Sequence, residues 1–304
     1  MKKYIFIVEE DDESLRLDNY LSNLFETLSR GQIQAMIKSG NALVDDIARK
    51  SSHKLKAGEK ITFEIVEETP VVLEPQNIPL EIVYEDDNML VVNKPSGMLT
   101  HPTTTERTNT LVNALLYKYG ENLSDVNGSL RRGILHRLDR NTSGLLMVAK
   151  NNEAHEFLAE QIKEKTAVKK YLAIVKGVVK DDFGTINLPI GRHASNPKMA
   201  VVEGARPSIT EYKVIKRFRD CTYLELTLVT GRTHQIRVHL SHLRHPILND
   251  SLYGAGQFKV KTQEQVLQSY KLAFTKPVSL ERIELEIGFD PKIAKILTYL
   301  ESKK

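Results

Sequence analysis

Residues 133–146 read Gly-Ile-Leu-His-Arg-Leu-Asp-Arg-Asn-Thr-Ser-Gly-Leu-Leu, with a polar run between two apolar ends. Apolar stretches on both sides of a polar run are typical of two buried strands joined by a loop. Asp139 lies in this loop between Arg137 and Arg140, and adjacent cations favour the ionised form of a carboxyl group. An aspartate in a loop more often caps a turn or pairs at the surface, so the segment alone leaves the role of Asp139 open.

Short apolar stretches recur on both sides of this segment and predict a sheet. The predicted strands lie at 82–84, 89–92, 145–148, 171–175, 212–215, 223–229 and 283–287. Helical patterns occur at about 110–119, 152–164, 234–242 and 291–302. Strands that cluster with a few helices, without regular βαβ alternation, indicate an α+β fold with a mixed, mostly antiparallel sheet.

A smaller αα-β module is predicted upstream, over residues 14–66. Apolar residues recur at helical spacing in its first part and form one stripe. Ser29 and Gln32 have the spacing of a capping box at the start of a second helix. Short strands are predicted at 42–44 and 61–66.

The length of 304 residues and a proline-rich stretch predict two domains. Pro70, Pro75 and Pro79 interrupt helix and strand alike. We therefore predict a first domain at 1–70, a linker at 71–80 and a second domain at 81–304.

The positive charge of the chain is concentrated in one segment. Residues 131–237 carry 20 basic and 11 acidic residues, a net charge of +9, whereas the whole chain carries +4. A basic segment of this kind is typical of proteins that bind a polyanion.

The composition excludes several other classes of protein. No apolar run approaches the roughly 20 residues of a transmembrane helix, and the apolar N-terminus runs into acidic residues too soon for a signal peptide. Cys221 is the single cysteine, which excludes an intramolecular disulfide and a cysteine-clustered metal site. We therefore expect a cytoplasmic protein without a membrane partner.

A second polar cluster occupies residues 231–239, Gly-Arg-Thr-His-Gln-Ile-Arg-Val-His. Arg232 and Arg237 flank His234 and Gln235, which places many hydrogen-bond donors at the predicted start of a helix, where anions bind readily. The histidines lack the His-x-x-x-His spacing of a helical zinc site, and the cluster contains no carboxylate or thiolate. We therefore predict an anion site and no metal. The sequence assigns no role to His239, His242 and His245.

Two further segments complete the pattern, Val92-Asn93-Lys94-Pro95-Ser96-Gly97 and Lys169-Lys170-Tyr171-Leu172. Taken alone, Tyr171 would be an ordinary core residue. In this order the four segments resemble the RluA/RluD-type pseudouridine synthases, over about residues 80–290. The resemblance implies the pseudouridine synthase fold and an enzyme that converts uridine in RNA into pseudouridine. This isomerisation gains no atom and no electron overall, so we expect neither a cofactor nor a metal.

The resemblance also implies three catalytic residues and a set of RNA contacts. Asp139 would be the essential carboxylate, which either attacks a ribose carbon or removes a neighbouring sugar proton. Arg237 would keep that carboxylate charged, through a contact that can be bidentate, and Tyr171 would line the pocket and stack on the base. Because a paired nucleotide must leave its helix to react, Arg137 would fill the vacated position. Further RNA contacts are expected from Lys94, Arg140, Arg232, His234 and Gln235.

The N-terminal module is similar to the S-four RNA-binding domain, in the order Arg16-Leu17-Asp18, Ser29-Arg30, Gly40, Val44 and Gly58-Glu59. Arg16, Arg30 and Lys38 would contact phosphates. Asp45-Asp46 departs from the Asn-Gly-like turn of that family, and a helical protein-interaction module is the alternative.

The two resemblances together imply a substrate. Such a module accompanies the members of the family that modify large ribosomal RNA, so we expect large-subunit (23S) ribosomal RNA as the substrate. We also expect the protein to be a monomer. The alternatives are a tRNA pseudouridine synthase and a non-catalytic RNA-binding factor of ribosome assembly.

Overall fold

A computed structural model describes residues 2–25, 28–65, 73–192, 198–254, 258–260, 262 and 265–303. The chain divides into two compact units, Met1–Val71 and Val72–Lys304. No helix within the described ranges is both long enough and apolar enough to cross a membrane.

The N-terminal unit packs two helices against a small sheet. The helices are α1 (Leu17–Leu24) and α2 (Arg30–Lys38), and the strands are β1 (Lys2–Ile7), β2 (Ala42–Val44), β3 (Ile47–Ala48) and β4 (Lys60–Ile65). The strands pair antiparallel in the order β1-β4-β2-β3. Leu17, Leu21, Ile33 and Phe63 are fully buried between the helices and the sheet, so this unit has a core of its own.

The helices and strands predicted for this unit are present. Ser29 and Gln32 form the predicted capping box, in which the backbone N–H of Ser29 donates to Gln32 Oε1 at 2.9 Å. Val66, the last residue of a predicted strand, lies outside the described residues. The sequence did not predict β1, an edge strand whose Ile5 and Ile7 are exposed, because its apolar residues do not mark a buried face.

The second unit contains one large sheet flanked by helices. In the described residues its nine strands are β5 (Glu81–Glu85), β6 (Met89–Lys94), β7 (Ser143–Ala149), β8 (Val168–Lys176), β9 (Phe183–Asn187), β12 (Ile209–Arg217), β13 (Cys221–Leu228), β14 (Leu267–Thr275) and β15 (Arg282–Glu286), with a separate hairpin of β10 (Ile190–Arg192) and β11 (Met199–Val201). The helices are α3 (Leu111–Tyr119), α4 (Asn152–Lys163), α5 (Gln235–His242) and α6 (Pro291–Glu301).

The order of the sheet is β5-β6-β7-β14-β8-β13-β12-β9, and β15 pairs with β14. The pair of β7 and β14 is parallel, and every other described pair in this sheet is antiparallel. The predicted fold class, α+β with a mixed, mostly antiparallel sheet, is confirmed. The sequence missed the central strand β14, because Gln268, Ser269 and Lys271 interrupt its apolar residues.

A glycine permits the close approach of β7 and β14 near the Asp139 loop. Gly144 has a φ of +116°, and a β-carbon there would lie 2.0 Å from the carbonyl oxygen of Ser269. No other residue fits this backbone and this contact. The end of the loop is therefore fixed against the centre of the sheet.

The predicted linker at 71–80 is described only from residue 73 onwards. Residues 73–80 form neither helix nor strand. Leu73 is buried, and the amide of Asn113 on α3 donates to the carbonyl oxygen of Glu74 at 2.8 Å. This part of the chain therefore packs on the second unit.

Candidate active site

The loop before β7 places Asp139 in a cleft of about 490 Å³. Arg137, Lys169 and Tyr171 line the same cleft, as do residues 228–233. Lys169 and Tyr171 are two residues apart on β8, and side chains at that spacing lie on one face of a strand. Among the described residues, the lining therefore combines one carboxylate, five cationic side chains and the ring of Tyr171.

Arg237, on α5, connects Asp139 to a second carboxylate. Its Nη1 donates to Asp139 Oδ2 at 2.9 Å, while its Nε and Nη2 donate to the two oxygens of Asp250 at 2.7 and 2.9 Å. The structure thus corrects one detail of the prediction: the bidentate partner of Arg237 is Asp250, and Asp139 receives a single bond.

The environment keeps Arg237 and Asp250 charged. Burial opposes the charge on Arg237, but Asp250 and Asp139 raise its pKa above the ordinary value. Burial likewise opposes the charge on Asp250, but Arg237 and the backbone N–H groups of Tyr253 and Leu252 lower its pKa. With Arg237 always protonated, Asp139 faces a permanent cation at hydrogen-bond distance.

His234 forms the second neighbour of Asp139. It precedes α5 in the left-handed conformation, with a φ of 57°, and its Nε2 lies 3.9 Å from Asp139 Oδ1. Its Nδ1 is 2.9 Å from the hydroxyl of Tyr253, whose ring lies 5.1 Å from the guanidinium carbon of Arg237. Burial lowers the pKa of His234 although Asp139 opposes this, so the imidazole is neutral at neutral pH.

Tyr171 lies on β8, a central strand of the sheet, and lines the same cleft as Asp139. Its exposed surface fraction is 4%. Burial raises the pKa of its hydroxyl above the ordinary value; a hydrogen bond with Ser269 opposes this shift and the charge of Asp139 adds to it. The phenol is therefore protonated at neutral pH.

Hydrogen bonds from buried side chains to backbone carbonyl oxygens fix the Asp139 loop. The fully buried Lys94 donates from Nζ to the carbonyl oxygens of Pro95, Met98 and Arg140 at 2.9, 2.8 and 3.1 Å. Thr100 Oγ1 donates to the carbonyl oxygen of Leu138 at 2.9 Å. The structure corrects the prediction that Lys94 contacts RNA, because its ammonium group binds the backbone around the loop.

Known proteins match this chain closely. The model of the RNA pseudouridylate synthase family matches residues 88–242. The chain is 38% identical to the uncharacterized RNA pseudouridine synthase YlyB of Bacillus subtilis, over 99% of each chain. The chain belongs to the RNA pseudouridylate synthase family. It is an isomerase that acts on RNA.

Further relatives and solved structures agree with this assignment. The chain is 38% identical to the ribosomal large subunit pseudouridine synthase D of Xanthomonas campestris, over 97% of this chain and 91% of that one. The structure of human RNA pseudouridylate synthase domain containing 1 superposes with a TM-score of 0.58 and 27% identity, over 76% of this chain and 98% of that one.

Of the three arginines that were predicted to contact RNA, Arg137 and Arg232 line the cleft of this pseudouridine synthase. Arg137 is exposed and makes no hydrogen bond or ion pair with the residues that the structure describes. Arg140 is exposed and forms an ion pair with Glu106. Arg232 is half-buried and donates from Nε to the carbonyl oxygen of Pro207 at 3.4 Å. Of the three, Arg137 is the most available to a substrate.

Gln235 is buried, and its amide group forms hydrogen bonds within the protein. Its Oε1 accepts from Thr230 Oγ1 and from the N–H of Arg232, and its Nε2 donates to the carbonyl oxygen of Ile209 and to Thr210 Oγ1, all at 2.8–3.0 Å. The structure therefore corrects the prediction that Gln235 contacts RNA.

The histidines that the sequence left without a role separate into two groups. His239 is buried, with its ring nitrogens 2.9 Å from Thr210 Oγ1 and 3.0 Å from the carbonyl oxygen of Leu188. His245 Nδ1 lies 3.0 Å from the carbonyl oxygen of Lys176. These two residues anchor α5 and the segment after it, whereas His242 is exposed. No group of three or more potential metal ligands exists among the described residues.

The predicted phosphate contacts of the N-terminal unit differ in their surroundings. Arg16 and Arg30 both form ion pairs with the buried Asp18, at 2.9 and 3.1 Å. Arg16 is the main reason that the pKa of Asp18 is well below its ordinary range. Both arginine side chains remain about half exposed, and Lys38 is exposed at the end of α2. Their contact with RNA stays a prediction.

Asp250, Tyr253 and Lys169 are the site residues to which the sequence assigned no role. Asp250 and Tyr253 follow a short apolar segment after α5, and no pattern in that segment indicates that they reach Arg237 and His234. Lys169 lies before the predicted strand 171–175, so the sequence did not indicate that it shares a strand face with Tyr171. It does so because β8 begins earlier, at Val168.

Proposed function

We propose that this enzyme isomerises specific uridines of large-subunit ribosomal RNA and uses Asp139 as the catalytic carboxylate. The observation that carries the proposal is the 2.9 Å hydrogen bond from Arg237 to Asp139, in a cleft lined by Tyr171. Either task of a catalytic carboxylate, attack on the ribose or removal of a sugar proton, requires the charged form, and a permanent guanidinium favours that form.

Two chemical routes fit this arrangement. In one, an oxygen of Asp139 bonds to C1′ of the ribose while the bond to N1 breaks and uracil leaves with the electron pair. In the other, the carboxylate removes the proton from C2′ as the same bond breaks. Uracil then turns and C5 bonds to C1′, while the bond from Asp139 to C1′ breaks in the first route and the proton returns to C2′ in the second. The proton on C5 is then lost and N1 takes up a proton, which completes the isomerisation. The ring of Tyr171 supports the base during this rotation, while its protonated hydroxyl remains in the sheet.

We propose that the reacting nucleotide leaves its helix to enter the cleft. Asp139 lies inside the cleft and not on an exposed surface, so a paired nucleotide would have to turn out of its stack, at a cost of a few kcal/mol. Arg137 is exposed at the cleft and has a planar guanidinium that can stack in the vacated position.

The choice of substrate rests on relatives and on the N-terminal unit. Relatives that are 38–41% identical to this chain are named ribosomal large subunit pseudouridine synthase D. We propose that the N-terminal unit binds the same RNA as the catalytic unit, which raises the effective concentration of the substrate at the cleft. The enzyme would act as a monomer in the cytoplasm.

Mapping pseudouridine in cellular RNA tests this proposal. We would compare a deletion strain with the same strain expressing wild type, Asp139→Asn, or the exposed control Asp181→Asn. We expect at least one position in large-subunit ribosomal RNA to depend on wild type and on the control, and to be lost with Asp139→Asn. Loss confined to tRNA would contradict the substrate, and full modification by Asp139→Asn would contradict the mechanism.

A further inference from the structure

Lys169 is a buried cation at the floor of the cleft. It has 6% of its surface exposed, and it lines the cleft together with Asp139 and Tyr171. Its ammonium group makes no hydrogen bond or ion pair with any residue in the described ranges. Withdrawing an ammonium group from water without a counter-ion is unfavourable. A buried, unpaired lysine that lines a substrate cleft therefore indicates that the substrate supplies the anion.

Within the described part of the chain, the groups around Lys169 supply no negative charge that is free to pair with it. The pKa of His136 is lowered to about 3 by burial and by the charge of Lys169, and its Nε2 accepts from the N–H of Met147 at 3.0 Å, so the imidazole is neutral. Tyr171 is protonated. The carboxylate that lines the cleft, Asp139, is hydrogen-bonded to Arg237.

We propose that the ammonium group of Lys169 binds the uracil base and stabilises the negative charge that uracil carries after it leaves C1′. This proposal rests on the proposed function. When the bond from C1′ to N1 breaks, its electron pair stays on N1 and spreads over O2 and O4. Burial lowers the pKa of the Lys169 ammonium group below its ordinary value, and the negative charge on uracil favours the protonated form. The protonated lysine then acts as a cation beside those atoms. The charge disappears when C5 bonds to C1′, and the later loss of the C5 proton is balanced by the uptake of a proton at N1.

The position of Lys169 favours the base over the phosphate backbone as its partner. Lys169 and Tyr171 lie two residues apart on one face of β8, which places their β-carbons about 7 Å apart, a distance that a flat pyrimidine can bridge. The exposed cations Arg137, Lys163 and Lys165 line the same cleft and are better placed for phosphates, which remain near the solvent.

Lys169→Met tests the proposal because it keeps the volume and removes the charge. We expect the single-turnover rate of pseudouridine formation at saturating RNA to fall about 10²-fold, as when one donor to a developing anion is lost. We expect the Kd for RNA to stay within about twofold. The melting temperature should stay the same or rise, because an unpaired buried charge is removed.

The neighbouring residue provides a matched control. Lys170 faces the other side of β8, where its Nζ forms an ion pair with Glu225 at 2.9 Å. Lys170→Met removes the same charge from the same strand, and we expect it to leave the rate unchanged. A wild-type rate for Lys169→Met would overturn the proposal. A weaker Kd with a smaller salt dependence and an unchanged saturating rate would also overturn it, because it would identify a phosphate contact.

A second pair of variants keeps the test independent of any folding defect in Lys169→Met. A β-carbon at Gly231 would lie 4.0 Å from Lys169 Nζ, so Gly231→Asp would give the lysine a resident counter-ion. We expect this variant to raise the melting temperature and to lower the saturating rate at least tenfold more than Gly231→Asn, which adds a side chain of the same size without the charge. A wild-type rate for Gly231→Asp would contradict the proposal.

The two proposals fail separately in the same assay. An active Asp139→Asn protein would contradict the role of Asp139, whatever Lys169→Met does. An Lys169→Met protein with the wild-type rate, beside an inactive Asp139→Asn protein, would contradict only the role of Lys169.

Discussion

Asp250 and Arg237 form a buried ion pair with two parallel hydrogen bonds, of 2.7 and 2.9 Å. This pair fixes the plane of the guanidinium and leaves Nη1 directed at Asp139, 2.9 Å away. Asp250 is in turn fixed by the backbone, because its Oδ1 accepts from the N–H groups of Leu252 and Tyr253 at 3.0 and 3.1 Å. The geometry at Asp139 is therefore set by a residue that does not line the cleft.

Asp250→Asn should impair catalysis without weakening RNA binding. An asparagine offers Arg237 one acceptor oxygen and one unfavourable donor group, so the guanidinium loses the contact that orients it. We expect the saturating rate to fall at least tenfold, the Kd for RNA to stay within about twofold, and the unfolding free energy to fall by about 3–5 kcal/mol, as for one partner of a buried ion pair. Exposed Asp181→Asn is the control. Unchanged turnover in Asp250→Asn would show that Arg237 does not need this partner.

Gln235→Leu should destabilise the protein and leave RNA binding intact. The substitution removes an amide with four internal hydrogen bonds and leaves buried polar groups without partners. We expect the free energy of unfolding in urea to fall by about 2–4 kcal/mol. The Kd for RNA, measured on the folded fraction, should not change. A weaker Kd at unchanged stability would restore the prediction that Gln235 contacts RNA, and exposed Thr233→Ala serves as the control.

Protonation of His136 in the unfolded chain should lower the free energy of unfolding of the protein in mild acid. Its folded pKa of about 3 lies below the ordinary value of 6.5, so the unfolded chain binds the proton first as the pH falls. The stability that His136 contributes is complete above pH 6.5 and is lost progressively towards pH 3. Between pH 7 and pH 5 this loss is about 1–2 kcal/mol.

His136→Gln isolates this contribution, because a glutamine oxygen can still accept from the N–H of Met147. We expect the free energy of unfolding of the variant to fall less between pH 7 and pH 5 than that of wild type. Urea titrations at the two pH values measure the difference, with the exposed His242→Gln as the control. Equal falls in wild type and His136→Gln would rule out His136 as the acid-sensitive group.

The sequence predicted those parts of the fold in which burial follows a regular pattern. The capping box at Ser29 and the helices α3, α4 and α5 are local features, and the structure has them within a residue or two of the predicted bounds. Strand β14 could not be predicted in this way. Its polar side chains are buried and bonded inside the protein, as with Ser269 Oγ, which donates to the carbonyl oxygen of Leu145 at 3.1 Å.

The site was predictable to the extent that its residues belong to recognisable segments. The resemblance named Asp139, Tyr171 and Arg237, and the structure brings them together. The errors at Lys94 and Gln235 have one cause, since a polar side chain in a basic segment has the same sequence pattern whether it faces solvent or a buried carbonyl group. Likewise, only the fold determines that Arg237 gives two of its hydrogen bonds to Asp250.

Deleting residues 1–71 should separate RNA affinity from catalysis. The second unit has its own buried core, so we expect the remaining chain to fold and to modify a short stem-loop at the wild-type saturating rate. Its Kd for a long ribosomal RNA fragment should rise about tenfold or more, because a tethered second contact is lost. Within the full chain, exposed Lys38→Glu should weaken binding to the long fragment and not to the stem-loop. If the deletion weakens both RNAs equally, or neither, then the N-terminal unit does not bind RNA and the alternative of a protein-interaction module gains support.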